Sequence, residues 1–426
     1  MNALVERLFP ICRSLTGDGV RRTLGVIGES IPLTIHEVPS GTPAFDWTVP
    51  NEWNIRDAYI KDPEGRRVVD FQRSNLHVVG YSAPVHTTLS RQQLETHLHS
   101  LPEQPELIPY RTRYYDNDWG FCLSHRCRTD LRDCDYEVCI DSTLVPGSLT
   151  YGECELPGTT DDEVLIYTHT CHPSLANDNV SGMAVCTYLA QWLMTIERRY
   201  CYRFIFGPGT IGSLVWLSRN IERLPRIRHG LVAVLLGGPG QLRYKRSRQG
   251  DAEIDRVAVH ALKHSAHPYA LEEFSPFGYD ERQFGSPGFN LPVGRLSRSP
   301  NAGYPEYHTS ADNLNLVKPD ALSESLAACA SILEMIEKNH RYRNTAPWGE
   351  PQLGRRGLYR KTGGESLPQR EMAMLWILNL SDGSHSLVDI AEISGLDFQL
   401  IRHTADDLIR VGLLSAEGVS PARATE

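Results

Sequence analysis

Several signals are missing from this chain, and each absence narrows what it can do. No run approaches the ~20 consecutive apolar residues of a membrane-spanning helix, so no membrane association is expected. Positive charge is not in excess: 43 Lys and Arg stand against 52 Asp and Glu, a net charge of −9 over 426 residues. That balance argues against nucleic acid as a bulk partner. No Gly-x-Ser-x-Gly elbow and no P-loop occurs, which removes the serine-hydrolase and nucleotide-cradle readings. Ten cysteines are present without one Cys-x-x-Cys pair. Cys122, Cys127, Cys134 and Cys139 crowd together, but at spacings wider than the paired ligands of a structural zinc site. Cys186, Cys201 and Cys329 fall on apolar faces, where a thiol packs as a small hydrophobe. The opening MNALVERLFPICRSL reads as an amphipathic helix with an early Glu6, not as a secretory leader. The expectation is a cytoplasmic protein with reduced thiols.

What is present is an α/β rhythm. Residues 1–35 read as one or two helices. Residues 36–155 are rich in Pro, Trp, Tyr and Asp, with short strand-like runs (RRVVDF, LHVVGYS, YEVCIDSTL) and one helical interruption N-capped by Ser90. This is a β-rich insertion expected to lie over the site face of the following domain. Trp47, Trp53 and Trp119 within it suit either a substrate cleft or a β-domain core. From 156 to 340 strands and helices alternate: strand Val164–Thr168, helix Val180–Glu197, strand Tyr202–Phe206, helix near Ser213–Ile221, strand Leu231–Leu236, helix Ile254–His264 and helix Pro319–Asn339. Such alternation calls for a mainly parallel sheet sandwiched by helices. The basic run Tyr244–Asp251 reads as a solvated face. A Gly-, Arg- and Pro-rich linker is expected over 341–367, then a three-helix, winged-helix-like module over 368–426. Its third helix mixes Arg402, His403 and Arg410 with Asp406 and Asp407, so a packing or dimerisation role is favoured over DNA reading, and a homo-oligomer is expected.

The chemistry gathers in VLIYTHTCHPSLANDNVSGMAVCTYLAQWL, Val164 to Leu193. A buried strand runs into a polar loop holding His169, His172, Asn177, Asp178 and Asn179. Val185, Leu189, Trp192, Leu193 and Ile196 then make one helical stripe. Strand, polar loop, helix delivers side chains to the carboxyl edge of an α/β sheet, where such folds bind ligands. Two imidazoles and a carboxylate there suit a borderline metal such as zinc, or else a satisfied hydrogen-bonding loop.

HTCHPSLANDNVSG, then TIGS after a strand (Thr210–Ser213), then EYHTSADN (Glu306–Asn313) resembles the co-catalytic di-zinc aminopeptidases. More closely, the chain is similar to a family of aminopeptidase-like domain proteins with an inserted β-domain and a C-terminal winged helix, found beside polysaccharide or natural-product biosynthesis proteins. FDWTVPNEWNIRDAYI, NLHVVGYS, WGFCLSH and SPGFNLPVG carry the same likeness, which covers nearly the whole chain. The resemblance implies His169 as a first-metal ligand, Asp178 as the bridging carboxylate, His308 as the second-metal ligand, and His172 as an extra imidazole of the closer family.

Two positions depart from the pattern. Where the family has an acid before TIGS, this chain has Gly209; where it has an Asp after the strand Leu231–Leu236, this chain has Gly238. Two divalent ions a few Å apart then lack the anionic charge that offsets their repulsion. The expectation is at most one firmly bound zinc, held by His169, Asp178 and His308, with His172. Glu306 and the Asp280–Glu281 pair are candidates for proton transfer. Arg282 is a candidate clamp for a substrate carboxylate, with Tyr307 and Asn179 as further substrate contacts. The glycine-rich strand ends (Gly207, Gly209, Gly237, Gly238, Gly240) suggest an enlarged pocket for a bulkier or anionic ligand. Three functions stay open: a metal-dependent hydrolase of an amide or aminoacyl linkage in a small molecule, an inactive binding or assembly protein, and a metal-free enzyme with a remodelled pocket.

Overall fold

The computed structural model describes residues 1–358 and 368–416. They form two compact units, Met1–Asp255 with Ser265–Ala330, and Arg256–His264 with the described part of Ser331–Glu426.

The first unit is built on an eight-stranded sheet: β1 (Thr34–Pro39), β2 (Ser148–Leu156), β3 (Glu163–His169), β4 (Cys201–Gly207), β5 (Ile227–Ala233), β6 (Leu242–Lys245), β7 (Tyr269–Glu272) and β8 (Val293–Ser297), in the order β1-β2-β4-β3-β5-β8-β6-β7. The middle strands β4, β3, β5 and β8 are parallel; on one flank β1 and β2 pair antiparallel with their neighbours, and on the other β6 is antiparallel to β8 and parallel to β7. All residues of β3 and of β4 are buried, as expected of strands covered on both faces. Helices α1 (Asn2–Leu8), α2 (Asp18–Gly28), α3 (Gly182–Leu193) and α4 (Ile211–Arg219) accompany the sheet. Burying Val185, Leu189 and Leu193 along α3 contributes about 1.5–3 kcal/mol per side chain.

The chain runs from β3 through α3 to β4 on one side, then through α4 to β5 on the other. The carboxyl end of β3 is therefore a topological switch point, where loops diverge and leave a crevice. The turn into α3 comes close to β5: a Cβ on Gly182 would lie 2.8 Å from the Ala233 carbonyl and 2.4 Å from Asn179 Oδ1. Only glycine fits there, which accounts for Ser-Gly after the NDN run.

The β-rich insertion is present but narrower than 36–155, because β1 and β2 belong to the central sheet. Its own sheet has the order Arg67–Asp70, Glu52–Lys61, Asp135–Val145, Val85–Ser90. Ser90 caps a helix as expected, with Gln93 completing a capping box, but the helix is only Arg91–Leu94. Trp53 is core, donating Nε1–H to the Ser82 carbonyl at 2.9 Å, and Trp119 stacks on His97. The run Tyr244–Asp251 is a solvated face only in its second half, where Arg248, Gln249 and Asp251 are exposed. Tyr244 and Lys245 are buried, and Lys245 pairs with Glu281.

Two further helices, α5 (Glu253–Lys263) and α7 (Pro319–Lys338), have residues in both units, whereas the short α6 (Glu281–Phe284) lies in the first. The second unit adds α8 (Pro368–Leu380), α9 (Leu387–Ser394) and α10 (Phe398–Arg410) to a three-stranded sheet of Arg341–Asn344, Asp382–Ser386 and Leu414–Ala416. The start of the expected linker is thus the central strand of a winged helix. The rest of that linker's Gly-rich part, 359–367, and the tail 417–426 lie outside the described residues.

Candidate metal centre

His169 is the last residue of β3, carried to the crevice by the buried strand, and its Nε2 lies 2.8 Å from Asp178 Oδ1. Asp178 is wholly buried. Its Oδ2 lies 3.2 Å from His308 Nε2 and accepts from the Tyr279 hydroxyl at 3.3 Å. One ligand atom each of His169, His172 and Asp178 lie within 4.8 Å of one another, and the His172 ring centre is 5.2 Å from that of His308. Of the four residues proposed from the sequence as metal ligands, His169, His172 and Asp178 gather closely enough to share one ion, while His308 meets the other oxygen of the Asp178 carboxylate.

Burial works against a charge on Asp178, yet His172, His169 and His308 hold its carboxyl well below the usual range. Burial pushes His172 down to about 3, so it is a neutral imidazole at ordinary pH, the form that binds metal. Nδ1 of His169 and Nε2 of His308 are buried without a hydrogen-bond partner. An unpaired buried polar atom costs about 1–3 kcal/mol, and coordination would relieve that cost at His308. Three imidazoles around one carboxylate fit a single zinc ion.

The scaffold behind these ligands is dense. Asp312 accepts the backbone N–H groups of Asn177 at 2.6 Å and Asp178 at 2.9 Å, and the Tyr304 hydroxyl at 3.2 Å. Burial pushes its carboxyl up to about 7, against those two backbone donors. His308 sits at a positive φ of 53°, a strained conformation for a non-glycine residue that its surroundings must hold. The insertion does so. Tyr110 N–H donates to the His308 carbonyl at 2.7 Å, and Ser310 exchanges two hydrogen bonds with Ile108. Tyr307 stacks on the His308 ring with centroids 3.8 Å apart.

Comparison with known proteins fits this geometry. The chain matches a family described as a domain of unknown function, DUF4910, over residues 2–339. The chain belongs to that family. Residues 340–416 match a winged helix-turn-helix family. A Clostridium acetobutylicum protein, 52% identical over 96% of this chain and 95% of its own, is named for polysaccharide biosynthesis and an aminopeptidase-like domain. A crystal structure titled as a peptidase from the same organism superposes with a TM-score of 0.91 at 49% identity, covering 97% of this chain and 95% of that one. BSAP, a zinc aminopeptidase from Bacillus subtilis, superposes with a TM-score of 0.58 at 12% identity, over 79% and 93% of the two chains. That last likeness establishes the aminopeptidase-like fold and nothing further.

Within this DUF4910 chain the two glycines have different surroundings. A Cβ on Gly209 would meet Cys171 Sγ at 3.5 Å, His169 Cβ at 3.8 Å and Asp280 Oδ2 at 3.9 Å, all ordinary contacts. Asp280 is buried; its Oδ1 accepts from Thr210 N–H and Ser213 Oγ, while Oδ2 has no partner. Burial pushes its carboxyl up, and Ser213, His169 and Thr210 pull the other way. A carboxyl group from another part of the chain thus stands beside Gly209. At Gly238 a Cβ would crowd Ser299 Oγ at 3.1 Å and Asn177 Nδ2 at 3.3 Å. The Gly237 and Gly238 N–H groups both donate to Asn177 Oδ1. This side is closed, with Arg298 Nε donating to the Gly238 carbonyl at 3.0 Å, so the expected enlargement of the pocket does not hold at Gly238.

The other candidates separate cleanly. Glu281 is buried in an ion cluster with Lys245 at 3.0 Å and Arg295 at 3.3 Å, a structural commitment at odds with proton transfer. Asn179 spends its amide on Thr168 Oγ1, the His169 carbonyl and Leu235 N–H, which braces the loop and leaves nothing for substrate. The Glu306 carboxylate makes no hydrogen bond or ion pair among the described residues. Arg282 lines a cavity of about 320 Å³ with Gly209, Trp47, Tyr114 and Tyr115, and its Nε has no partner. Asp312, Tyr110, Tyr279 and Tyr304 were not singled out from the sequence. Asp312 lies inside EYHTSADN and was legible there as a second acid four residues after His308; the tyrosines carried no signal.

Proposed function

We infer that this protein is a single-zinc hydrolase acting on an amide or aminoacyl linkage of a small molecule in polysaccharide or natural-product biosynthesis. The observation that carries this reading is the gathering of His169, His172 and Asp178, with His308 Nε2 3.2 Å from the second Asp178 oxygen. His169, Asp178 and His308 would hold the ion, with His172 beside them. Bound zinc supplies Lewis acidity toward the scissile carbonyl and lowers the pKa of water. Asp280 offers its free Oδ2 next to His169 as the proton-handling group. Tyr110, Tyr279 and Tyr307 wall the site, and the cavity beside Gly209 receives a substrate group whose anionic end faces Arg282. The name of the Clostridium relative supports the biosynthetic setting.

The reading extends to the rest of the chain. All ten cysteines are free, in keeping with a cytoplasmic protein, and no described helix is long and apolar enough to cross a membrane. On α10, Arg402 pairs with Asp406 and Arg410 with Asp407, which also binds Arg370. Arginines neutralised in this way suit packing within a homo-oligomer better than a phosphate backbone. The test is metal content with hydrolysis of aminoacyl amides before and after Asp178→Asn. Loss of one zinc equivalent together with turnover is expected; unchanged zinc in that variant would sink the reading.

A further inference from the structure

A second place among the described residues gathers metal-ligating side chains, and it lies in the winged-helix unit. His260 lies on α5 and His264 just past its end, where its N–H still donates to the His260 carbonyl at 3.1 Å, so both imidazoles leave the same face; their ring centres are 4.3 Å apart. Glu392 reaches them from α9, with Oε1 against His260 Nδ1. One nitrogen of each histidine and one carboxylate oxygen all lie within 4.8 Å of one another. His260 is 1% exposed, and its Nε2 is buried with no hydrogen-bond partner.

We propose that His260, His264 and Glu392 form a zinc site that clips α5 to α9, separate from the cluster around Asp178. Two imidazoles at i and i+4 with one carboxylate give three ligands, and the exposed edge at His264 leaves the fourth position to water. The two helices are already aligned by Arg256, which pairs with Asp389 at 2.8 Å one turn before His260, so the ion meets a preset geometry. Lys263 Nζ sits 2.9 Å from Glu392 Oε2. Its ammonium competes for the carboxylate, and, being half exposed, it can swing into solvent when the ion binds. The ion ties the two helices together through its ligands on each of them.

Cobalt(II) is the probe, added to the full chain after removal of metal and followed by its visible absorption. His264→Ala removes an exposed ligand, and an unchanged far-ultraviolet circular dichroism spectrum shows the fold is kept. It is expected to lower bound cobalt by one equivalent, both in the unaltered chain and in one carrying Asp178→Asn. Lys263→Gln is expected to tighten the same equivalent. Identical cobalt binding with and without His264, or no cobalt bound by the Asp178→Asn chain, would overturn the proposal. An unchanged affinity in Lys263→Gln would strike Glu392 from the ligand set and the proposal with it.

Discussion

The two glycine-lined flanks of the candidate centre are built differently. On the Gly209 flank there is room, and the Asp280 carboxyl comes in from the loop before α6 to stand near it. On the Gly238 flank the space is filled by Asn177 and Ser299, and the backbone amides that would face a ligand are turned onto Asn177. One flank holds a buried carboxyl beside Gly209; the other is a packed wall with the Arg298 guanidinium on the Gly238 carbonyl. The lesson is that a missing residue in a motif is not yet a missing group in a site: charge can be supplied from elsewhere in the chain or sealed out by packing. A single ion on the Asp178 carboxylate is the arrangement that this asymmetry supports.

The most severe way to break the comparison is to remove the carboxylate both flanks share. Asp178→Asn should lose the centre's zinc and about a thousandfold or more of hydrolytic rate, the several kcal/mol of charge stabilisation a Lewis acid provides. Elemental analysis and turnover on an aminoacyl amide read this out, and full rate in the variant would mean that the flanks do not meet at Asp178. Asp280→Asn comes next. It keeps an acceptor for Thr210 and Ser213 but removes the charge, so zinc should remain while kcat falls by about 10²–10⁴. An unaltered kcat would reduce Asp280 to scaffolding.

How much of this was legible in the sequence follows from which residues act alone. His169, Asp178 and His308 were readable because a strand, a polar loop and a quoted motif each fixed one of them. Asp280 and Glu281 were not separable, since adjacent residues at a helix start face different ways. One points to Ser213, the other to Lys245 and Arg295. Asn177 and Asn179 posed the same difficulty, because what an amide bonds is decided by loops distant in sequence. The parallel centre of the sheet was visible in its apolar runs. The strand Arg341–Asn344 was not: Arg-Tyr-Arg-Asn is too short and polar to show a period, and its two partners, Asp382–Ser386 and Leu414–Ala416, lie well along the chain.

Smaller effects sharpen the contrast between flanks. Gly238→Asp should cost about 1–3 kcal/mol by crowding Asn177 and Ser299, whereas Gly209→Ala should change stability by less than about 1 kcal/mol. Urea unfolding of the two variants compares them directly, and equal costs would erase the distinction between an open and a closed flank. The smallest effect expected is at the clamp on the His308 loop. Ser310→Ala removes the acceptor for Ile108 N–H and should weaken zinc about tenfold by loosening His308; competition with a chelator measures it.

Anomalous scattering at the zinc edge, from crystals grown with zinc, tests the central claim most directly. One peak is expected at the Asp178 carboxylate within reach of His169 and His308, with none toward Gly238. A pair of peaks about 3.5–4 Å apart on either side of Asp178, or no peak beside it at all, would contradict the account.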